Sequence, residues 1–384
     1  MSNTEIQDPV FRRFYSHLNN AVTILQSYDG RIPFAHFIKN YFSQHKKFGS
    51  KDRKQITHLC YGYFRLGKSY TQLSTEKKIL KGLQLCTPAL EKEWQSIINE
   101  YQLPQETPNN IFSLKEYISK SIDTAAFESA HLVQPDLFLR IRPGYERDVV
   151  DTLNAQKVQY RVDEGAIRLP NLFKIENLFS INKEVVVQDL SSQRVGRLLE
   201  AHKSAIFNQK FQIDLWDCCA ASGGKSILAN DILKQMELTV SDIRPSIIVN
   251  LKKRFREAGI KNYHALVAVA THANPAKQFD LIIADVPRSG SGTWARTPEQ
   301  LLYFEPASMD SFVKLQSAIT GNAIRYLRAG GYLLYITCSV FEKENEGQVS
   351  QLQNAGLQLL EQLVLKGYEQ RADTMFAALM RVPL

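Results

Sequence analysis

Three stretches of this chain have residue types and spacings that could do chemistry. Asp217-Cys-Cys219-Ala220-Ala221-Ser222-Gly223-Gly224-Lys225-Ser226 follows an apolar run and opens a helical one. Phe279-Asp-Leu-Ile-Ile-Ala-Asp285-Val-Pro287-Arg288-Ser-Gly290-Ser-Gly292 and Gly330-Gly331-Tyr-Leu-Leu-Tyr-Ile-Thr337-Cys338-Ser339 are buried-strand runs that end in short polar turns. A parallel sheet delivers such strand ends to one edge, the edge where α/β enzymes work. Cys338 is therefore a candidate nucleophile, with a pKa that nearby cations are expected to lower. The plainer alternative is a small core residue, and its place at the end of a strand argues against that.

The first stretch is built to meet a ligand. Its paired glycines, Gly223 and Gly224, let the backbone turn tightly, and the helix beyond favours an anionic group. A nucleotide P-loop is excluded because Cys219 stands where that motif needs glycine, and the dinucleotide fingerprint Gly-x-Gly-x-x-Gly is absent. A loop around a small nucleoside without phosphates fits better, since Asp242 ends the next strand, where an acid would bind ribose hydroxyls. S-adenosylmethionine is the nucleoside cofactor expected. Gly290-Ser-Gly292 leads into Arg296-Thr-Pro298-Glu299 rather than an apolar helix, so it reads as an active-site loop.

These residues need a scaffold, and the hydrophobic pattern supplies one. From about Val185 onward strands alternate with helices: 213–218, 238–241, 265–269, 281–284 and 332–336, then two strand-like runs, 357–363 and 374–380, suited to an antiparallel hairpin on the sheet edge. The fold class expected is α/β, a doubly wound, Rossmann-like sheet over residues 185–384 with a reversed final strand. Residues 1–130 show apolar positions at helical spacing, such as Phe14, Leu18, Val22 and Leu25, punctuated by Pro33, Gly49, Pro88 and Pro104, which predicts a helical domain. Between them, residues 131–184 read as a small α/β subdomain: strand 137–141, helix 145–156, and strands 158–162 and 166–169 about the turn at Glu164-Gly165.

Length and composition agree with several folded domains. The 384 residues exceed one ordinary core, and 44% apolar with 22% charged residues is an ordinary globular balance. No apolar run approaches a membrane span, and the polar start, Met-Ser-Asn-Thr-Glu-Ile-Gln-Asp-Pro, is no signal peptide, so a cytoplasmic protein without membrane partners is expected, as a monomer. Five cysteines without Cys-x-x-Cys spacing indicate neither a disulfide framework nor a metal site. The net charge of +8 is uneven: Lys46, Lys47, Lys51, Arg53, Lys54, Arg65 and Lys68 crowd one stretch, interleaved with Tyr61, Tyr63, Phe64 and Tyr70. That mixture suits RNA, with Lys51 and Arg53 as candidate contacts; a solvated helix face is the alternative.

Taken together, the motifs resemble the RsmB/NOP2/Sun family of RNA cytosine-C5 methyltransferases. Cys219 to Lys225 resembles the family's Cys-Ala-Ala-Pro-Gly-Gly-Lys loop, with Ser222 in place of proline. Asp285 to Thr293 resembles its Asp-Ala-Pro-Cys-Ser-Gly-x-Gly-Thr segment, and Thr337 to Ser339 its Thr-Cys-Ser, followed by the acidic 342–346 stretch. Val187 to Gln193 resembles the entry into its methyltransferase domain, and Phe48 to Arg53 the signature of its NusB-like helical RNA-binding domain.

The resemblance implies a class I methyltransferase sheet of seven strands and S-adenosylmethionine held by Cys219, Ala220, Ala221, Ser222, Gly223, Gly224, Lys225, Asp242 and Asp285. It also implies catalysis by Cys338 and Asp285 on an unstacked cytosine of RNA, with ribosomal RNA the commonest bacterial target. Three positions depart from the pattern. Arg288 replaces the cysteine that helps release product, Ile247 stands where the family has an arginine, and 266–270 lacks the third-strand acid. Arg288 cannot accept a proton but suits a phosphate or a thiolate. The alternative function is a non-catalytic RNA-binding relative acting in ribosome assembly. Uracil and DNA cytosine methylation share the thiol addition, but a DNA-type Pro-Cys nucleophile is excluded by Pro287-Arg288.

Overall fold

The computed structural model describes residues 9–384, which form two units. The first is helical. Pro9–Ser27, Phe34–Gln44, Ser50–Arg65, Thr75–Cys86 and Lys92–Glu100 bury one stripe each around Leu18, Ile24, Phe34, Ile56, Phe64, Leu80 and Trp94, and Thr124–Ala130 buries Phe127 against Phe112. Gly62 and Gly82 let two of these helices touch backbone to backbone: a β-carbon on Gly82 would lie 2.3 Å from the Gly62 carbonyl oxygen. The unit also contains 294–305, the segment that directly follows the Asp285–Thr293 loop. Its Glu299 accepts the Phe34 N–H at 3.0 Å, and Tyr303 packs edge-on to Tyr28.

The basic cluster of this unit differs from its reading in the sequence. Lys51 is exposed and Arg53 lies over the Phe42 ring while donating to the Phe48 carbonyl at 2.9 Å. The aromatics are not surface platforms, however. Phe64 is fully buried, Tyr70 is buried with its hydroxyl on the Glu106 carbonyl, and Tyr61 and Tyr63 pack against the core. Helical periodicity turns Tyr61, Tyr63 and Phe64 inward, and Arg65 is buried too, donating to the His131 carbonyl at 2.7 Å, so only the other cations of the cluster remain for a partner.

The second unit begins with a small sheet. Strands β1 (Leu137–Ile141), β2 (Arg161–Asp163), β3 (Ala166–Leu169) and β4 (Val185–Val187) form an antiparallel sheet in the order β2-β3-β1-β4, backed by the helix Glu146–Ala155. Val185–Val187 pairs with β1, so this sheet runs past the 131–184 segment.

The large sheet contains β5 (Ile213–Asp217), β6 (Met236–Asp242), β7 (Tyr263–Val267), β8 (Phe279–Asp285), β9 (Leu327–Thr337), β10 (Gln358–Leu365) and β11 (Met375–Arg381). Its order is β10-β11-β9-β8-β5-β6-β7, parallel except for β11, which runs antiparallel between β9 and β10. Side chains alternate between two cores. Leu281, Ile283, Leu334 and Ile336 face the helices Gly196–Phe207, Gly224–Leu233 and Pro245–Glu257, while Ile282, Ala284, Leu333 and Tyr335 face Ser308–Ala323 and Glu346–Asn354. The expected strands are all present, with ends shifted by a few residues, and the hairpin of the last two closes one edge. The chain order of the strands reverses between β5 and β8, which makes that point the natural crevice for a ligand.

Candidate active site

The crevice is a cavity of about 510 Å³ at the carboxyl ends of β5, β6, β8 and β9. Cys338, Asp285, Arg288, Asp242, Cys219 and Ala221 all line it, so residues spread over 120 positions of sequence meet in one place. Its size lies within the range of small-molecule sites.

The carboxylate and the thiol are joined through the arginine. Arg288 donates from Nε to Cys338 Sγ at 2.8 Å and from Nη1 to the Val286 carbonyl at 2.9 Å. Nη1 also lies 2.9 Å from Asp285 Oδ1, an ion-pair contact whose angle is not that of a directed hydrogen bond. On the other side, Lys225 Nζ donates to Asp285 Oδ2 at 3.2 Å and to Ser192 Oγ at 2.7 Å. Burial raises the pKa of Asp285, but the Arg288 and Lys225 cations outweigh it and hold the carboxyl below its ordinary value.

Cys338 behaves otherwise. Burial pushes the thiol up, and the Arg288 charge and hydrogen bond pull it back only in part, with Asp285 and Asp373 pushing it up again. The lowered pKa expected from its position is therefore not found: the site is drier than a strand end implies, and desolvation wins over one guanidinium. Cys338 is only 8% exposed, and it lines the cavity.

Two loops are fixed beneath these groups by one buried carboxylate. Glu344 accepts from Ser289 N at 2.9 Å, Ser289 Oγ at 2.5 Å, Gln316 Nε2 at 2.9 Å and Ser339 Oγ. Gln316 also holds the Pro287 carbonyl, and Thr337 donates to Asn345, which in turn donates to the Ser339 carbonyl. Gly292 donates to the Cys338 carbonyl and accepts from Thr374 N, each at 2.9 Å, and a β-carbon there would sit 2.0 Å from the Thr374 oxygen. Glu344, Gln316 and Thr374 were not singled out as individual site residues in the sequence, and only the acidic 342–346 run hinted at the first.

The 217–226 loop divides its labour. Cys219 and Ala221 face the cavity; Ala221 sits at φ 45°, a strained angle for a residue with a β-carbon, and its N–H is bonded to Asp242. Ala220 and Gly223 turn away into the core, and Gly223, at φ 82°, could not carry a β-carbon without meeting Phe255 at 2.6 Å. Ser222 gives its carbonyl and hydroxyl to Arg254 at 2.9 and 2.7 Å, a use its proline counterpart could not make of a side-chain oxygen. Gly224 starts the helix, and Lys225 reaches the site through Asp285. Behind the loop Asp217 is wholly buried, accepts from Ser226 Oγ at 2.6 Å, and has its pKa pushed up to about 7 by burial.

The far end of the cavity is apolar. Ile243, Val269, Leu315 and Ile319 line it with Ala268, Ala270 and Thr271, and Asp242 closes it from the end of β6. Arg244 folds over Asp242, donating from its backbone at 2.9 Å and from Nε and Nη2 at 3.0 and 3.1 Å. Neither Arg244 nor this pairing was anticipated from the sequence. A carboxylate beside an apolar slot fits a ribose next to a purine, so the residues present suit the nucleoside expected.

Residues 204–375 match the family model described as 16S rRNA methyltransferase RsmB/F. Over that stretch the chain is similar to the RsmB/F methyltransferases, the family its motifs resemble. The chain is 27% identical over 260 residues to the probable ribosomal RNA small subunit methyltransferase B of Bacillus subtilis, covering 64% of this chain and 56% of that protein. It is 32% identical over 171 residues to the ribosomal RNA small subunit methyltransferase B of Photorhabdus laumondii, covering 43% and 37%. The chain thus spans about half the length, or less, of the curated relatives it matches. The crystal structure of the protein PH0851 superposes with a TM-score of 0.66 at 17% identity, over 94% of this chain and 96% of that one. A methyltransferase homologue from Pyrococcus horikoshii superposes with a TM-score of 0.57 at 19% identity, over 67% and 90%. At those identities the likeness is one of fold. Among the described residues no helix is long and apolar enough to cross a membrane.

Proposed function

We propose that the protein is an S-adenosylmethionine-dependent RNA cytosine-C5 methyltransferase, acting on ribosomal RNA, with Cys338 as nucleophile. The observation that carries this reading is the convergence of Cys338, Asp285 and Asp242 on one cavity. When bound, the cofactor supplies an electrophilic methyl group. Asp242 accepts from the ribose hydroxyls and the Ile243–Val269 slot takes the adenine.

The chain's own residues then act on the base. Cytosine C5 is too weak a nucleophile unaided, so Cys338 Sγ adds to C6 and the C5=C6 electron pair becomes available at C5. Asp285, anionic between Arg288 and Lys225, faces the polar edge of the base. After methylation the C5 proton leaves to solvent water or hydroxide at the cavity mouth, the C5=C6 bond reforms, and the Sγ–C6 bond breaks with its electrons on sulfur. Arg288 stays protonated, since the Asp285 and Cys338 charges raise its pKa against the effect of burial. It cannot take that proton, but its Nε–H stabilises the thiolate both before attack and as it leaves.

The non-catalytic reading draws on a different observation. Arg244 covers Asp242 and Arg288 touches Asp285, so both carboxylates are already paired. Transfer of labelled methyl from S-adenosylmethionine to total RNA separates the two. Incorporation that disappears in Cys338→Ala is the expected result; none in the wild type would favour an RNA-binding relative.

A further inference from the structure

The small sheet carries a second concavity within the same unit, a groove of about 420 Å³ whose polar lining includes Tyr160, Arg161, Arg168, Asn171, Arg371 and Asp136. Its charges are unequal. Asp136 bridges Arg168 at 2.7 Å and Arg371 at 3.1 Å, and Asp163 reaches Arg168 at 3.3 Å. Arg161, exposed on the edge strand β2, makes no ion pair among the described residues.

Arg161 also stands directly opposite Arg168 in the β2–β3 register, so the two cations share one face of the sheet. Like charges in that relation destabilise a strand pair; Asp136 and Asp163 offset Arg168, which leaves the Arg161 charge for an anion in the groove. By contrast, the groove beside Arg140, Arg194, Arg197 and Lys203 is matched by Glu146, Glu164, Glu200 and Asp231, which leaves no excess of charge for a ligand.

The Arg161 groove lies close to the catalytic edge. Arg371 begins the run Arg371-Ala372-Asp373-Thr374. Thr374 N donates to Gly292 in the active-site loop, and the Asp373 charge is felt by the Cys338 thiol. Three residues span at most about 11 Å, so a polyanion threaded through the groove reaches the cavity mouth within a few units. Tyr160 and Asn171 add an aromatic face and an amide beside the cations, which suits nucleotides better than a simple salt.

We propose that this groove binds the phosphate backbone of single-stranded RNA next to the nucleotide held at Cys338. The proposal rests on the RNA methyltransferase reading for its partner, yet its test is separate from turnover.

The test uses the full chain and a mixed-sequence single-stranded RNA 20-mer, with Kd measured across a salt series. Arg161→Gln is expected to weaken binding roughly 3–10-fold at low salt and to flatten the slope of log K against log salt by about 0.7, the share of one phosphate on a single strand. The exposed helix residue Lys252, changed to Gln, sets the scale of a non-specific charge effect. S-adenosylmethionine binding by calorimetry should be the same in the wild type and Arg161→Gln. Unchanged affinity and slope in Arg161→Gln would overturn the groove even where methylation is normal, as would an equal loss in Lys252→Gln. A selective loss in Arg161→Gln upholds it even if no methyl group is ever transferred, in which case the catalytic reading alone fails.

Discussion

Arg288 Nε lies 2.8 Å from Cys338 Sγ and ties the candidate nucleophile to Asp285 through one guanidinium. This contact turns the substitution of a release cysteine by arginine from a lost group into a gained one. In the proposed mechanism the arginine stands where the thiolate forms and where it leaves.

The first prediction concerns the thiol itself. Removing the guanidinium in Arg288→Gln takes away the two influences that lower the Cys338 pKa, leaving burial, Asp285 and Asp373 to raise it. The rate of iodoacetamide alkylation of Cys338, followed against pH, should show its midpoint move to higher pH in the variant. A midpoint that stays or falls would mean that Arg288 does not support the thiolate.

Glu344 should matter as much as any residue that touches substrate. Its carboxylate takes four donors from Ser289, Ser339 and Gln316, and Glu344→Ala removes the one charged acceptor that they share. Hydrogen bonds to a charged group are each worth about 1.5–3 kcal/mol, so a loss of roughly 3 kcal/mol in urea unfolding is expected, with methylation lost as both loops relax. A near-neutral change in unfolding midpoint would show that the loops hold themselves.

Much of this was legible in the sequence, for a physical reason. Buried parallel strands are continuous apolar runs, and their polar ends name the edge, so Asp285, Cys338 and Asp242 could be placed together before any coordinates. What was not legible depends on side chains that meet only in three dimensions. Arg244 lies two residues from Asp242 and no spacing rule says that its side chain folds back on the acid, Glu344 sits in an acidic run, and the pKa of Cys338 depends on burial that no motif reports. The aromatics of the basic cluster erred in the opposite direction, because interleaving in sequence does not say which face a helix turns outward.

Asp217 gives a pH prediction for stability. Its folded pKa, about 7, lies above the ordinary value of 3.8, so the native state holds this proton longer than the unfolded chain. Its contribution is full below about pH 4 and is lost as pH rises through about 7. Asp217→Asn keeps an oxygen for Ser226 and has no proton to lose, so the difference in unfolding free energy, wild type minus variant, should fall between pH 4 and 7 and level off above. A flat difference in urea titrations would place the ordinary pKa on this carboxyl.

The last prediction sets two neighbours against each other. Asp242 is the proposed acceptor for ribose hydroxyls, and Arg244 already occupies both of its oxygens. Arg244 holds the Asp242 carboxyl below its usual pKa against the opposing effect of burial, so the acid is anionic and ready to accept at neutral pH. Removing the acid costs hydrogen bonds to a charged group, and Asp242→Ala should weaken S-adenosylmethionine roughly 10–100-fold by calorimetry. Arg244→Gln should do the reverse and tighten binding several-fold, because the side chain is more than half exposed and its pair with Asp242 must open for the ribose. Weaker binding in Arg244→Gln would show instead that the guanidinium stays in place and orients Asp242 toward the sugar.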